Sequence, residues 1–445
     1  MSHSQRASNP PGGARLRRAR MQPALGDDLL ERVLASANLR AAWKQVRANQ
    51  GAPGVDGMSI EELPAWAREY WPGIRKALLD GSYRPSPLRQ RMIPKPGGRG
   101  QRRLRIPTVV DRVILQAIQQ VLTPIFDPSF SESSFGYRPG RSAHGAVKQV
   151  QRFIRDGHRV AVDLDVDQFF DRVDFDVLMA RLGRRVTDQR LLRLIGRFLR
   201  AGVMVDGQLH PTRQGIPQGS PLSPLLANVV LDDLDKELER RGLRFARYAD
   251  DVVVLVRSQR AGQRVMASLA RFLRRRLKLE VNVEKSQVAL TDQISFLGFS
   301  FRGAKICWSA KTLARFQREV KRFTNRNWGV SMRRRLTELE RYLRGWMGYF
   351  WISEYYRPIP EIDGWLRRRV RMCYWVQWRT RRTRINRLLK LGVGRKHAVS
   401  TGLSSHGPWH LARTEATQLA MSNSWLAQQG LVSFKDLWIS FAHPR

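Results

Sequence analysis

The stretch RYADDVVVLV (247–256) sets two adjacent carboxylates, Asp250 and Asp251, directly before the unbroken apolar run of residues 252–256. A run this short and this rich in valine predicts a buried strand. Together with the residues before it, the segment reads as strand, Asp-Asp turn, strand. A second stretch, RVAVDLDV (159–166), alternates strictly. Val160, Val162, Leu164 and Val166 fall on one strand face, and Asp163 and Asp165 on the other, with Asp167 continuing the pattern. Two strands thus present acids where apolar packing is expected. The chain has few acids to place, with 79 basic against 38 acidic residues and a net charge of +41.

Gathering three carboxylates costs free energy through repulsion and desolvation unless cations lie between them. Magnesium favours such oxygen sites where substrate phosphates complete its octahedron. Two ions, roughly 3.5–4 Å apart, would activate an attacking 3′-hydroxyl and stabilise a leaving pyrophosphate. Either motif alone has an ordinary explanation, because Asp pairs mark many turns. Spacing by itself leaves open which of Asp163, Asp165 and Asp167 is the ligand.

The basic excess predicts a polyanionic partner, with nucleic acid ahead of a membrane surface. No apolar run approaches the ~20 residues of a spanning helix, and the N-terminus lacks the apolar stretch of a signal peptide. The expected location is therefore cytoplasmic and nucleoid-associated, with no membrane partner. Cys307 and Cys373 are too few and too far apart for a disulfide framework or a zinc site, and read as packed, reduced thiols. No acid occurs between Asp363 and Glu415, where WLRRRVRMCYWVQWRTRRTRINRLLK interleaves Arg with Trp and Tyr. That pattern suits backbone tracking plus base stacking, and Arg367, Arg368, Arg371, Arg379, Arg381, Arg382 and Arg384 are the candidate contacts. The plainer alternative is a helix with an apolar core face and a solvated basic face.

Residues 1–26 read as a basic arm without order, and 27–80 as a helical extension broken at NQGAPGVDG, with Ser59 and Glu62 as a capping box. Residues 92–107 read as two extended pieces around a Gly-rich basic turn, and 108–126 as an amphipathic helix stopped near Pro124. A helical tract covers 175–200, a hairpin with Asp206-Gly207 at its turn covers 203–210, and a helix begins near Ser223. The β signal ends near 306, and beyond it all is helical, with Ser309 as an N-cap.

The motifs stand in a family order: NQGAPGVDG, IPKPGG…RRLRIPTVVDRVILQAI, SSFGYRPGRSAHGA, VDLDVDQFFDRVDFD, QGIPQGSPLSPLLANVVLDDLD, RYADDVVVLV and FLGFSF. From about Asn49 to the C-terminus the chain resembles the group II intron reverse transcriptases/maturases of the bacterial, endonuclease-less type. The resemblance implies an α+β right-hand polymerase, fingers and palm with an antiparallel sheet over 81–306. A helical thumb/maturase region (307–384) and a basic nucleic-acid-binding segment (385–445) would follow. It implies an RNA-directed DNA polymerase that binds its intron RNA, assists splicing and supports retromobility. Its partners would be an RNA template with a DNA primer, dNTPs and target DNA.

Residue by residue, Asp165, Asp250 and Asp251 would be the catalytic metal ligands for two Mg2+ ions, joined by the Val166 carbonyl. Phe170 would be the steric gate against a ribose 2′-hydroxyl. Lys95 and Arg102 would hold the incoming triphosphate. The KPGGRGQRR segment is longer than the family pattern, which leaves Arg103 or Arg105 as alternatives to Arg102, although both read first as solvated surface charges. Gln218 would line the nucleotide pocket, and Leu297-Gly298 would form the primer grip. His397, His406 and His410 lack a metal spacing and read as structural or phosphate-contacting. Two other readings use the same motifs. One is a free-standing or domesticated enzyme in defence, CRISPR or repair; the other is a splicing factor with an inactive polymerase, against which all three carboxylates stand.

Overall fold

The computed structural model describes residues 28–94 and 100–442; the arm expected over 1–26 and the candidate triphosphate ligand Lys95 lie outside them. The apolar run occupies the strand Asp251–Val256, second in a four-stranded sheet ordered Arg244–Tyr248, Asp251–Val256, Val160–Leu164, Gln287–Leu290. Every pairing in this sheet is antiparallel.

Both faces of that sheet are covered. Val252, Val254 and Val256, with Val160, Val162 and Leu164, bury into one core with the helices Val109–Phe126 and Ser223–Arg240. Val253 and Leu255, with Ala161 and Ala246, bury into a second core, in which the helix Ala143–Arg155 covers the sheet and the C-terminal helices pack beyond it. A strand covered on both sides has no solvent face to alternate with, which is why the run is unbroken.

The helix Val109–Phe126 is capped by Thr108, whose side chain accepts from the Asp111 amide. Asp111 is itself buried, accepting from Tyr83 Oη at 2.7 Å, Thr108 Oγ1 at 2.9 Å and the Ser86 amide at 3.1 Å. Burial raises its carboxyl to about 6, against those bonds. The helix departs from expectation in three ways. It runs through Pro124 to Phe126, and it is buried on nearly all sides rather than on one. With the residues up to Ser129 it is also long and apolar enough to cross a membrane by length and composition, although no such run was expected; 72% of that window is buried inside the protein.

The tract expected as one helix over 175–200 is two, Phe175–Leu182 and Gln189–Leu199. The break is made by Asp188, which accepts from the amides of Arg190 and Leu191 and from Leu30 at 2.9 Å. One buried carboxylate thereby serves the starts of two helices.

A second sheet has the order Gln101–Ile106, Leu88–Pro94, Val203–Val205, Gln208–His210. Its first pair is antiparallel, with Pro94 opposite Gln101. Leu88 and Arg89 run parallel to Val203 and Met204, so this second sheet is mixed, while the first is antiparallel as expected. The 203–210 hairpin turns on Asp206 (φ +48) and Gly207 (φ +82), both left-handed as a two-residue turn of that type requires.

Strands continue to the hairpin Phe299–Arg302/Lys305–Trp308, and the helices Ala310–Phe323, Met332–Phe350 and Pro358–Gln377 follow. The expected boundary at 306/307 falls inside this hairpin, and that at 384/385 inside the helix Arg381–Lys390. Leu388, Leu411, Leu426 and Phe434 bury in the same core as Phe316 and Leu339.

Candidate active site

Leu164 pairs with Val252, so the next residues along, Asp165 and Asp251, stand at the same end of adjacent strands. Asp251 pairs with Tyr248, which leaves Ala249 and Asp250 as the turn. The register alone brings the three candidate carboxylates to one sheet end. They line a single cavity of about 1120 Å³ with Val166, Phe170, Gln218, Arg102, Tyr137 and Lys285. Asp163, opposite Val253 and Gln287 inside the strand, is not in that lining, while Asp167 lines it and pairs with Arg172 at 2.7 Å.

The cluster is electrostatically strained. Burial, then the charges of Asp250, Asp163 and Asp165, push the Asp251 carboxyl up to about 6. Its side chain still meets solvent in the cleft; protein walls the other sides. Burial and Asp165 also raise Asp250, and the same two causes raise Asp163 to about 6 against a hydrogen bond from Gln287. Three positive groups partly offset this: Lys285 Nζ is 3.8 Å from Asp165 Oδ1, and Arg102 and Arg247 act on Asp250 through space. The donors suit a hard cation in kind. Among the described residues, no three acidic, His or Cys groups stand close enough to ligate one ion by themselves, so substrate oxygens would have to complete any magnesium shell. Val166 bridges Val281 through the bonds Asn282 N–Asp165 O (2.9 Å) and Asp167 N–Glu280 O (2.8 Å), and its own carbonyl takes no part in them.

Ala249 sits at φ +58, a left-handed conformation that costs an L-residue about 1–2 kcal/mol. What holds it is Arg247, fully buried beneath the turn. Its Nη1 donates to the Ala249 carbonyl at 3.0 Å and to Asn228 Oδ1 at 2.8 Å, and its Nε and Nη2 bond both oxygens of Asp235. Burial pushes the Asp235 carboxyl up and Arg247 opposes it. Asn228 Nδ2 donates to the Gly136 carbonyl at 2.9 Å. Gly136 lies so close that a Cβ there would fall 2.2 Å from the Ala249 nitrogen. The SSFGYRPG segment runs beside the strand, with Phe135 N to Arg247 O and Arg247 N to Ser133 O both at 2.8 Å. Arg247, Asp235, Asn228 and Gly136 all lie within the sequence motifs, but nothing local in the sequence marks any of them for this role.

Phe169 is buried in the core, and Phe170, against it edge-on at 5.2 Å, lines the cleft. The carbonyl of Phe170 accepts from Ile216 N at 2.6 Å. A Cβ on Gly215 would meet the Asp171 carbonyl at 2.8 Å, so the loop before Gln218 must be bare there. Arg102 is exposed and in the cleft lining; Arg103 is also exposed. Arg105 corrects the expectation of a solvated charge: its side chain is 13% exposed and pairs with Asp171 at 3.0 Å.

Leu297 (φ +52) and Gly298 (φ +86) form a tight turn between Phe296 and Phe299, outside the cleft lining. Their carbonyls accept from Tyr349 Oη at 3.1 Å and Thr312 Oγ1 at 2.7 Å, and a Cβ on Gly298 would meet Phe350 at 3.1 Å. Glycine is demanded here by its φ and by the helices behind it. Of the C-terminal candidates, Arg379, Arg381 and Arg382 are exposed. Arg367 pairs with Asp363 at 2.7 Å, Arg368 stacks on Trp409 at 3.7 Å, and Arg384 donates to the Trp378 carbonyl. Arg371 is buried, bonded to the Met421 carbonyl and Asn423 Oδ1, and ties helices together rather than offering a surface charge. His406 and His410 pack against each other, and His397 is exposed.

Residues 93–301 match the family model described as reverse transcriptase (RNA-dependent DNA polymerase), and residues 313–391 match the group II intron maturase-specific domain. The chain is 28% identical over 326 residues to the group II intron-encoded protein LtrA of Lactococcus lactis subsp. cremoris, covering 59% of this chain and 54% of the relative. It is 30% identical over 322 residues to Protein YkfC of Escherichia coli (strain K12), covering 63% of this chain and 84% of that protein. The chain thus spans about half the length of LtrA. Among solved structures, a partial Cas6-RT-Cas1–Cas2 complex aligns at 25% identity and TM-score 0.37, over 58% of this chain and 46% of that one. A Candida tropicalis telomerase aligns at 13% identity and TM-score 0.41, over 50% of this chain and 55% of that one.

Proposed function

From a chain that belongs to the group II intron reverse transcriptase/maturase family, we propose an RNA-directed DNA polymerase that also binds its intron RNA and assists splicing and retromobility. The observation that carries this is the convergence of Asp165, Asp250 and Asp251 on one cleft that also holds Phe170, Gln218 and Arg102. In this reading 81–306 are fingers and palm, 307–384 are the thumb/maturase domain, and 385–445 are a basic nucleic-acid-binding segment.

The three carboxylates, with the Val166 carbonyl, would hold magnesium, whose charge when bound offsets the negative charge that builds on the transferred phosphate. The remaining work belongs to the chain. Arg102 and Lys95 orient the triphosphate by charge-assisted bonds. Gln218 lines the nucleotide pocket. Phe170, braced by Phe169 and by Ile216 N, presents an edge to the sugar. Lys285 stands 3.8 Å from Asp165 and places a positive charge beside it. Arg247, itself held by Asn228, keeps Ala249 in its left-handed form, so that the acids are presented before substrate binds.

The test pairs the purified protein with RNA transcribed from its own flanking DNA, following splicing and primer extension in one magnesium buffer at moderate salt. Splicing together with cDNA synthesis is the expected result. Polymerisation with no effect on any flanking RNA would overturn the maturase half and leave a free-standing polymerase.

A further inference from the structure

A second cavity, of about 760 Å³, shares Arg103, Gln168 and Asp171 with the carboxylate cleft but contains none of its three acids. It lies against the mixed sheet and the loop of residues 210–214. Its lining carries Arg103, Arg105, Arg172, Arg213 and Lys278 against one acid, Asp171. Three of these cations are tied: Arg105 to Asp171, Arg172 to Asp167, and Lys278 to Asp174 at 2.8 Å. Among the described residues, Arg103 and Arg213 have no ion pair.

Arg105 is the telling residue. Only its Nη2 reaches Asp171; its Nε and Nη1 are buried without an acceptor. Unpaired donors on a buried cation are costly; protein covers both atoms as they stand, so they pair with phosphate oxygens once the Arg105 side chain swings into the cavity. The lining contains no Phe, Tyr or Trp, so it offers phosphate contacts and no base-stacking platform.

We propose that this cavity is a polyphosphate site: it takes the phosphate chain of a nucleoside triphosphate approaching the cleft, or of the pyrophosphate leaving it. Arg105 exchanges Asp171 for a phosphate oxygen, and Arg103 and Arg213 supply further contacts. Positive walls leading to a reaction centre raise the local concentration of such anions. The proposal rests on the polymerase reading for its role, and on the cavity alone for its binding.

The first experiment is calorimetric titration of the full chain with inorganic tripolyphosphate, in metal-free buffer at moderate salt. It compares wild type with Arg213→Gln, Arg105→Gln and, as an equal loss of charge elsewhere, Arg260→Gln at an exposed helix position. Arg213→Gln should bind about five- to tenfold more weakly than Arg260→Gln. Equal binding by these two variants overturns the site, whatever Arg105→Gln does to folding. The second experiment is steady-state extension and pyrophosphorolysis with Arg213→Gln. A raised KM for dNTP at near-normal kcat assigns the site to entry, and a raised KM for pyrophosphate assigns it to exit. If neither KM moves, the proposal fails and the polymerase reading stands. Specific tripolyphosphate binding by a protein that extends no primer would keep the site and sink that reading.

Discussion

Arg247 stands one turn behind the acids, and everything it touches bears on them. Breaking a buried, multiply bonded pair from one side costs about 3–5 kcal/mol, so Arg247→Met should lower unfolding free energy in urea by that order. Arg247→Lys keeps the charge but loses the fork that serves Asp235, Asn228 and Ala249 together. It should stay destabilised and require more magnesium for activity; behaviour like wild type would remove Arg247 from its positioning role. Phe170→Ala should lower the preference for deoxynucleotides over ribonucleotides, read as the ratio of their kcat/KM values, and an unchanged ratio would end the gate assignment. Candidate acids were legible in sequence because acids at strand ends break a pattern. Arg247 was not, since its partners lie 12 and 19 positions away and nothing local marks which basic residue is buried. Arg105 was misread for the same reason: its partner Asp171 is on a distant element.

At the scale of elements, the end of the four-stranded sheet is a proton-linked device. Asp251 and Asp163 titrate near 6, above the ordinary carboxylate value of 3.8. Their raised values favour the fold fully at pH below about 4, and that contribution is lost as pH rises through about 6. The cation-free protein therefore carries repelling carboxylates at neutral pH, and a bound cation relieves them. Thermal melts should show a larger stabilisation by magnesium at about pH 7.5 than at about pH 5, reduced in Asp251→Asn. Equal stabilisation at both values would contradict the cluster. Strands and hairpin turns were readable because their periods and turn residues are local. The parallel pairing of Leu88 with Val203 joins distant segments. The break at Asp188 was hidden because apolar periodicity continues on both sides of it.

The whole molecule is two cores sharing one sheet, and its C-terminal residues belong to the second core. Phe434 packs within 6.0 Å, ring to ring, of Trp308, Phe316 and Trp346. Deleting 385–445 should therefore expose apolar surface and cost cooperative melting, beyond any loss of RNA affinity; a truncated chain with an unchanged Tm would show that this segment is an appendage. The net charge of +41 sets the expectation of a polyanionic partner from composition alone. Packing assigned Arg371 and Arg105 to the interior, which composition could not. The most direct test of the account is extension of a DNA primer on an RNA template with dNTPs and magnesium, comparing wild type with Asp250→Asn and Asp251→Asn, each shown to be folded. The account predicts full-length cDNA from wild type and none above background from either variant. Wild-type levels of cDNA from a folded Asp251→Asn protein would contradict it.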